Sequence, residues 1–172
     1  GAILTQNTNW LNASRALANL KKINALTPAA MRSMTELELA HSIRPSGYFN
    51  AKAKKLKAMA AYLETYGDDP LQWRQWDPKK LRNELLAVYG IGPETADDIV
   101  LYVAGLPTFI IDAYTKRIIA RLGIAPINDT YEGFQAFFEH YLPQDAELFN
   151  EYHALLDRHA KEACLKTTPR CL

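Results

Sequence analysis

Three residues, Gly90-Ile91-Gly92, separate two helical patterns, and no other stretch limits the fold as tightly. The first pattern, "DPKKLRNELLAVYG", has Asp77 placed as N-cap, Pro78 at the first helical position and Gly90 as its stop. The second starts at Pro93 and runs to about Ala104. A link that short must turn sharply, and glycine reaches the positive φ values such a turn demands. The bare amides of the turn, with the free N–H groups opening the second helix, form a nest suited to a phosphate oxygen. Such a grip reads no sequence. A plain helix–helix corner uses glycine in the same way, so the hairpin alone leaves both readings open.

The rest of the chain is helical in pattern. "ILTQNTNWLNASRALANLKKI" repeats its apolar residues near the 3.6 period, and "TPAAMRSMTELELAHSI" opens with Thr27 as N-cap and Pro28 at the first position. Asn50 is placed to cap "AKAKKLKAMAAYLETYG". After the hairpin, an extended "PTFII" leads to Asp112 and the helix "AYTKRIIARLG", and two further helices are expected at about 130–141 and 144–163. No repeat or strand pairing competes with an all-α fold.

At 172 residues, 48% apolar and 23% charged, the chain can build one domain or two small lobes. Its apolar runs are far short of the roughly 18–20 residues that span a bilayer, and no signal-peptide pattern opens it, so a cytoplasmic location is expected. Residues 1–63 hold nine Lys/Arg against two acids, and the remainder eleven against seventeen, so the first third is the end that attracts a polyanion. A solvated basic helix face accounts for the same split. The chain opens inside an apolar helical run and closes at Cys171-Leu172, so a longer native chain is expected.

Asp112 stands immediately before a helical run. That place suits an N-cap, and a helix N-terminus keeps a carboxylate ionised. An anion held there beside a reacting sugar could stabilise a cationic transition state.

Together these segments closely resemble the endonuclease III superfamily of DNA glycosylases. "LLAVYGIGPETADDIVLYVAGLPTFIIDAYTKRI" is similar to its helix-hairpin-helix followed by the Gly/Pro-rich loop and aspartate. "ILTQNT" resembles its early helix with a lesion-gap glutamine, "GYFNAKA" the loop that wedges into DNA, and "YHALLDRHAKEACLKTTPRC" the last helix with the start of the cluster loop. The resemblance implies an all-α, two-lobed fold with a central cleft. One lobe would cover about 1–105, with the helix-hairpin-helix at about 78–104. The other, about 106–172, would carry the catalytic Asp and lack its N-terminal helix and the end of the cluster loop. It implies Asp112 as the catalytic residue and Gly90, Ile91 and Gly92 as the phosphate-binding hairpin. Gln6 would probe the gap left by a flipped base and Tyr48 would be the wedge. Asn50 and Lys52, in the wedge loop, join the expected DNA contacts, with Lys54 and Lys55 sharing the salt dependence. The implied partner is double-stranded DNA, met by a monomer without a membrane.

Two departures refine this. Members that also cleave the strand carry a lysine two residues after the second hairpin glycine, where a Schiff base forms; here Glu94 stands there, so a lyase step by that route is not expected. The family's iron–sulfur loop has four cysteines, and Cys164 and Cys171 reproduce only its first interval. Two thiolates cannot fill that site, so no cofactor is required in this chain, and a 4Fe-4S cluster needs a chain continuing beyond Leu172. Without a cluster, both are expected as reduced thiols.

For substrate, "GAILTQNTNW", "IRPSGYFNAKAKKLK" and "GIGPETAD" look most like the 3-methyladenine DNA glycosylase III branch, where an aromatic residue lies four positions after the glutamine. Here it is Trp10, expected one helical turn from Gln6 on a shared face. Alkylated purines carry positive charge, which an indole face attracts by ~0.5–2 kcal/mol. Trp10 as a core residue is the competing assignment. The expected activity is a monofunctional glycosylase for alkylated purines, with Gln6, Trp10 and Glu94 at the substrate. The alternatives are an endonuclease III-like enzyme for oxidised pyrimidines or mismatched bases, and a non-catalytic module binding distorted DNA.

Overall fold

The computed structural model describes residues 1–170. Among them ten α-helices follow one another with no strand: α1 Ala2–Thr5, α2 Trp10–Lys22, α3 Pro28–Ser33, α4 Glu36–Ser42, α5 Phe49–Glu64, α6 Pro78–Leu86, α7 Pro93–Tyr102, α8 Ala113–Leu122, α9 Tyr131–Tyr141 and α10 Ala146–Glu162. Caps set many of the boundaries. The side chains of Thr27, Asp77, Asp112, Thr130 and Asp145 each accept a backbone N–H from the first turn of the helix that follows.

Three expected elements come out differently, each for a local reason. The apolar run from Ile3 is two helices, because Asn7 takes φ 51° and Asn9 accepts the Asn12 N–H to start α2. Gln6 is therefore the last, extended residue after α1, Trp10 is the first of α2, and the two share no helical face. The run after Thr27 breaks at extended Met34, where Thr35 and Glu38 form a reciprocal capping box that restarts the chain as α4. Asn50 does not cap α5: the helix starts at Phe49 from a left-handed Tyr48 (φ 46°), leaving Asn50 exposed in its first turn.

Two hydrophobic cores form. One gathers Leu20, Leu39, Ile43, Trp73, Leu81 and Val100, and the other Phe109, Ile119, Phe138, Phe149 and Leu156, with the rings of Phe109 and Phe138 stacked at 4.0 Å. Helix α7 belongs to both: Ile99 and Val100 enter the first core and Leu101 the second. Its Asp97 is fully buried and satisfied from both sides. Arg82 Nε donates from α6 at 2.9 Å, and the Tyr131 hydroxyl (2.8 Å) and Gln135 Nε2 (2.9 Å) donate from α9. A buried carboxylate stripped of one such partner would cost roughly 3–5 kcal/mol, so this network pins the lobes together along α7.

Candidate active site and nucleic-acid interface

The hairpin is anchored from inside. Ile91 is buried in the first core and its N–H bonds to Val88 O at 3.1 Å, while Gly90 takes φ 78°. Gly92 is the N-cap of α7 and offers no side-chain cap, so the helix start is left to backbone N–H groups. Beside it opens a cleft of about 590 Å³ lined by Gln6, Lys55, the hairpin, Glu94 and Tyr131.

Gln6 is bound into this cleft. Its Nε2 donates to Gly90 O at 3.2 Å and Thr95 Oγ1 at 2.9 Å, and its Oε1 accepts from Lys55 Nζ at 2.6 Å. The expected gap-probing glutamine is thus held by three bonds, one each to the hairpin, to α7 and to α5.

Asp112 lies at the N-terminus of α8. One carboxylate oxygen, Oδ1, accepts the Thr115 N–H at 2.7 Å; the other, Oδ2, faces His153 Nε2 of α10 at 3.8 Å. Helix α7 turns Glu94, Asp98 and Tyr102 toward the same region, at spacings of four that share one face. Burial first, then Glu94 and Asp112, push the Asp98 carboxyl up to about 7. Burial, then Asp112, also raises Glu94. The site therefore holds interacting carboxyls, Asp98 partly buried and Glu94 exposed, which suits stabilising positive charge.

Asp98 and Tyr102 also line an apolar cavity of about 580 Å³, together with Trp10, Met31, Met59 and Trp73. Trp10 is 62% exposed, whereas Trp73 is 1% exposed and belongs to the core. The core assignment for Trp10 falls: the indole is an accessible wall.

Residues 1–144 match the HhH-GPD superfamily base excision DNA repair protein model. The chain belongs to the HhH-GPD superfamily. It is 43% identical over 168 residues to a Methanocaldococcus jannaschii protein provisionally named a DNA repair glycosylase, across 96% of this chain and 76% of that one. It is 30% identical over 170 residues to the endonuclease III of Sulfolobus acidocaldarius, across 98% and 74%. The structure of the H. pylori 3-methyladenine DNA glycosylase bound to 1,N6-ethenoadenine matches with TM-score 0.77 at 26% identity, over 94% of this chain and 82% of that one. This HhH-GPD chain is a DNA glycosylase of base excision repair.

Among the expected DNA contacts of this HhH-GPD chain, Tyr48 is 71% exposed and follows a left-handed Gly47, so its ring projects from the loop. Lys52 is corrected. It is only 2% exposed, and its ammonium donates to Leu4 O at 2.9 Å and Ser46 O at 2.7 Å, stapling α1 to the wedge loop where no phosphate can reach. Lys54, two residues on, is exposed.

The expected cluster loop is present only in part. Cys164 is buried in the second core with Arg121 Nη1 donating to its Sγ at 3.0 Å, and Cys171 lies outside the described residues. The two cysteines of the sequence supply half of a four-thiolate set.

Sequence reasoning missed His153, Asp98, Tyr102 and Lys55's hold on Gln6. Asp98 and Tyr102 could have been found from their spacing with Glu94 on one helix. The partnership of His153 with Asp112 spans 41 positions, as the numbering shows, and carries no local signal.

Proposed function

We propose that this chain is a monofunctional DNA glycosylase that hydrolyses the N-glycosidic bond of alkylated purines such as 3-methyladenine after flipping the base from the duplex. The observation carrying this reading is the exposed indole of Trp10 on a cavity whose polar wall includes the Asp98 carboxyl. A π face and a carboxyl together favour a cationic, flat base. The H. pylori relative, bound to an ethenoadenine, supports an alkylated purine as the class.

In this reading a cationic purine departs with the bonding electron pair and leaves neutral, so little general acid is needed. The sugar becomes cationic, Asp112 stabilises it, and water adds at the vacated carbon. Gly90, Ile91 and Gly92 hold a phosphate, Tyr48 wedges the stack, and Gln6 turns to the gap. Glu94 offers no amine for a Schiff base. The protein works as a cytoplasmic monomer on double-stranded DNA; this chain requires no cofactor, and a 4Fe-4S cluster enters only with a chain continuing beyond Leu172.

Base-release assays on methylated, oxidised and mismatched duplexes test this. Release from methylated duplex, falling ~10²–10³-fold in Asp112→Asn with binding kept, is expected. Preferential release of an oxidised pyrimidine or mismatched base would replace the substrate, and binding without release would replace the activity.

A further inference from the structure

The two oxygens of Asp112 keep different company. Oδ1 is committed to the Thr115 N–H, whereas Oδ2 faces the Nε2 of His153 at 3.8 Å. That nitrogen is buried and makes no hydrogen bond. The other ring nitrogen, Nδ1, lies 2.8 Å from the Tyr102 hydroxyl. Since a buried, unpaired ring nitrogen is costly, the arrangement calls for a reason. Tyr102 keeps its proton, burial pushing it up to about 12, and can donate that proton into Nδ1. The imidazole proton then resides on Nε2, aimed at the carboxylate.

We propose that Tyr102 and His153 are positioning residues for Asp112, the tyrosine fixing the imidazole tautomer whose Nε2 proton orients Oδ2 during base release. The proposal rests on Asp112 being the catalytic carboxylate. A gap of 3.8 Å is too long for a hydrogen bond, and an approach of about 1 Å, of the kind that substrate binding brings, closes it. A neutral imidazole orients the carboxylate without cancelling its charge. An imidazolium would cancel it, leaving the sugar cation unsupported. Burial holds His153 below its ordinary value, against the pull of Asp112 and of Asp157 on α10, and with Lys161 pushing the same way as burial. Tyr102 faces it from α7, and Asp98 and Glu94 on that helix act on Asp112. The orienting state is therefore present at neutral pH and lost on acidification below the ordinary histidine range.

The test measures single-turnover base release against pH for wild type, His153→Gln, His153→Leu, Tyr102→Phe and Asp112→Asn. Circular dichroism and binding to abasic duplex check each variant's integrity, and ¹⁵N NMR of the ring nitrogens reads the wild-type tautomer. His153→Leu should lose roughly 10–100-fold at pH 7.5 with abasic binding unchanged. His153→Gln, which keeps an N–H at similar reach, should stay within about threefold of wild type and lose the acid limb, and Tyr102→Phe should fall between. The NMR spectrum should show the Nε2–H form. A wild-type rate in His153→Leu, equal losses in Leu and Gln variants, an acid limb unchanged in His153→Gln, or an Nδ1–H ring would each overturn the proposal. If Asp112→Asn alone is impaired, the glycosylase reading stands and this inference fails. If wild type releases no base from any duplex, the glycosylase reading fails, and the catalytic positioning with it.

Discussion

Lys55 lies across Gly90, so close that a Cβ on that glycine would come 2.3 Å from Lys55 Cγ. Gly90 also sits at φ 78°, where a side chain costs about 1–2 kcal/mol. A Cβ on Gly92 would meet nothing within 4 Å, and φ there is −96°. Gly90→Ala should therefore lower the melting temperature and release Gln6 from Lys55. Gly92→Ala should melt like wild type, so any affinity it loses for abasic duplex reports the close approach of a phosphate. Equal melting temperatures for the two variants would contradict the crowding at Gly90.

The two tryptophans of the cavity should respond in opposite ways. Trp73→Ala, at 1% exposure, should cost ~3–5 kcal/mol in denaturant unfolding. Trp10→Ala should leave stability nearly intact and selectively reduce release of alkylated bases, while Trp10→Phe keeps a stacking face and a good part of the rate. A large stability loss in Trp10→Ala without selective loss of release would remove its assignment to the base.

Lys52 and Lys55 separate a structural ammonium from one in the hairpin cleft. Lys52→Met strands two buried carbonyls and should cost about 1–3 kcal/mol, with the salt dependence of DNA affinity unchanged. Lys55→Ala should reduce the slope of log affinity against log salt by about 1. A reduced slope in Lys52→Met would place that ammonium on the DNA after all.

With Glu94 where strand-cleaving members carry lysine, borohydride should trap no covalent adduct with abasic DNA, and the abasic strand should survive until heated with base. Efficient trapping would show that another amine serves, with Lys55 the first to replace.

Asp98 makes stability depend on pH. Its carboxyl rises from 3.8 to about 7 in the folded protein. Between those values the native state keeps a proton that the unfolded chain has lost, so stability falls as pH rises through this window and the full penalty applies above it. Asp98→Asn should stabilise by roughly 2–4 kcal/mol at pH 8 and by little at pH 4. Urea titrations of both proteins at pH 4, 6 and 8 measure the difference, and a constant offset across them would contradict the burial penalty.

Much of the architecture was legible because it is written locally. Asp77 with Pro78 and Thr27 with Pro28 open their helices as read, and Gly90 takes the positive φ its place demanded. What failed was also local but finer: two asparagines, Asn7 and Asn9, break a continuous apolar pattern that periodicity alone joins. Lys52 was misplaced because a charged residue in a basic run reads as exposed, whereas the distant Leu4 carbonyl and the nearby Ser46 carbonyl had claimed its ammonium. The His153–Asp112 approach depends on how α8 packs against α10, which no window of sequence contains.

The buried knot around Asp97 has a mechanical consequence. Because α6, α7 and α9 all donate to or carry that one carboxylate, the two walls of the cleft cannot swing apart without stranding it. Such a protein does not clamp. It presents a fixed mould, and in the proposed reaction the work of fitting falls on the duplex, which must bend and unstack to bring its nucleotide inside. Steps already weakened by damage or mispairing pay least for that deformation, so rigidity itself filters which sites are opened.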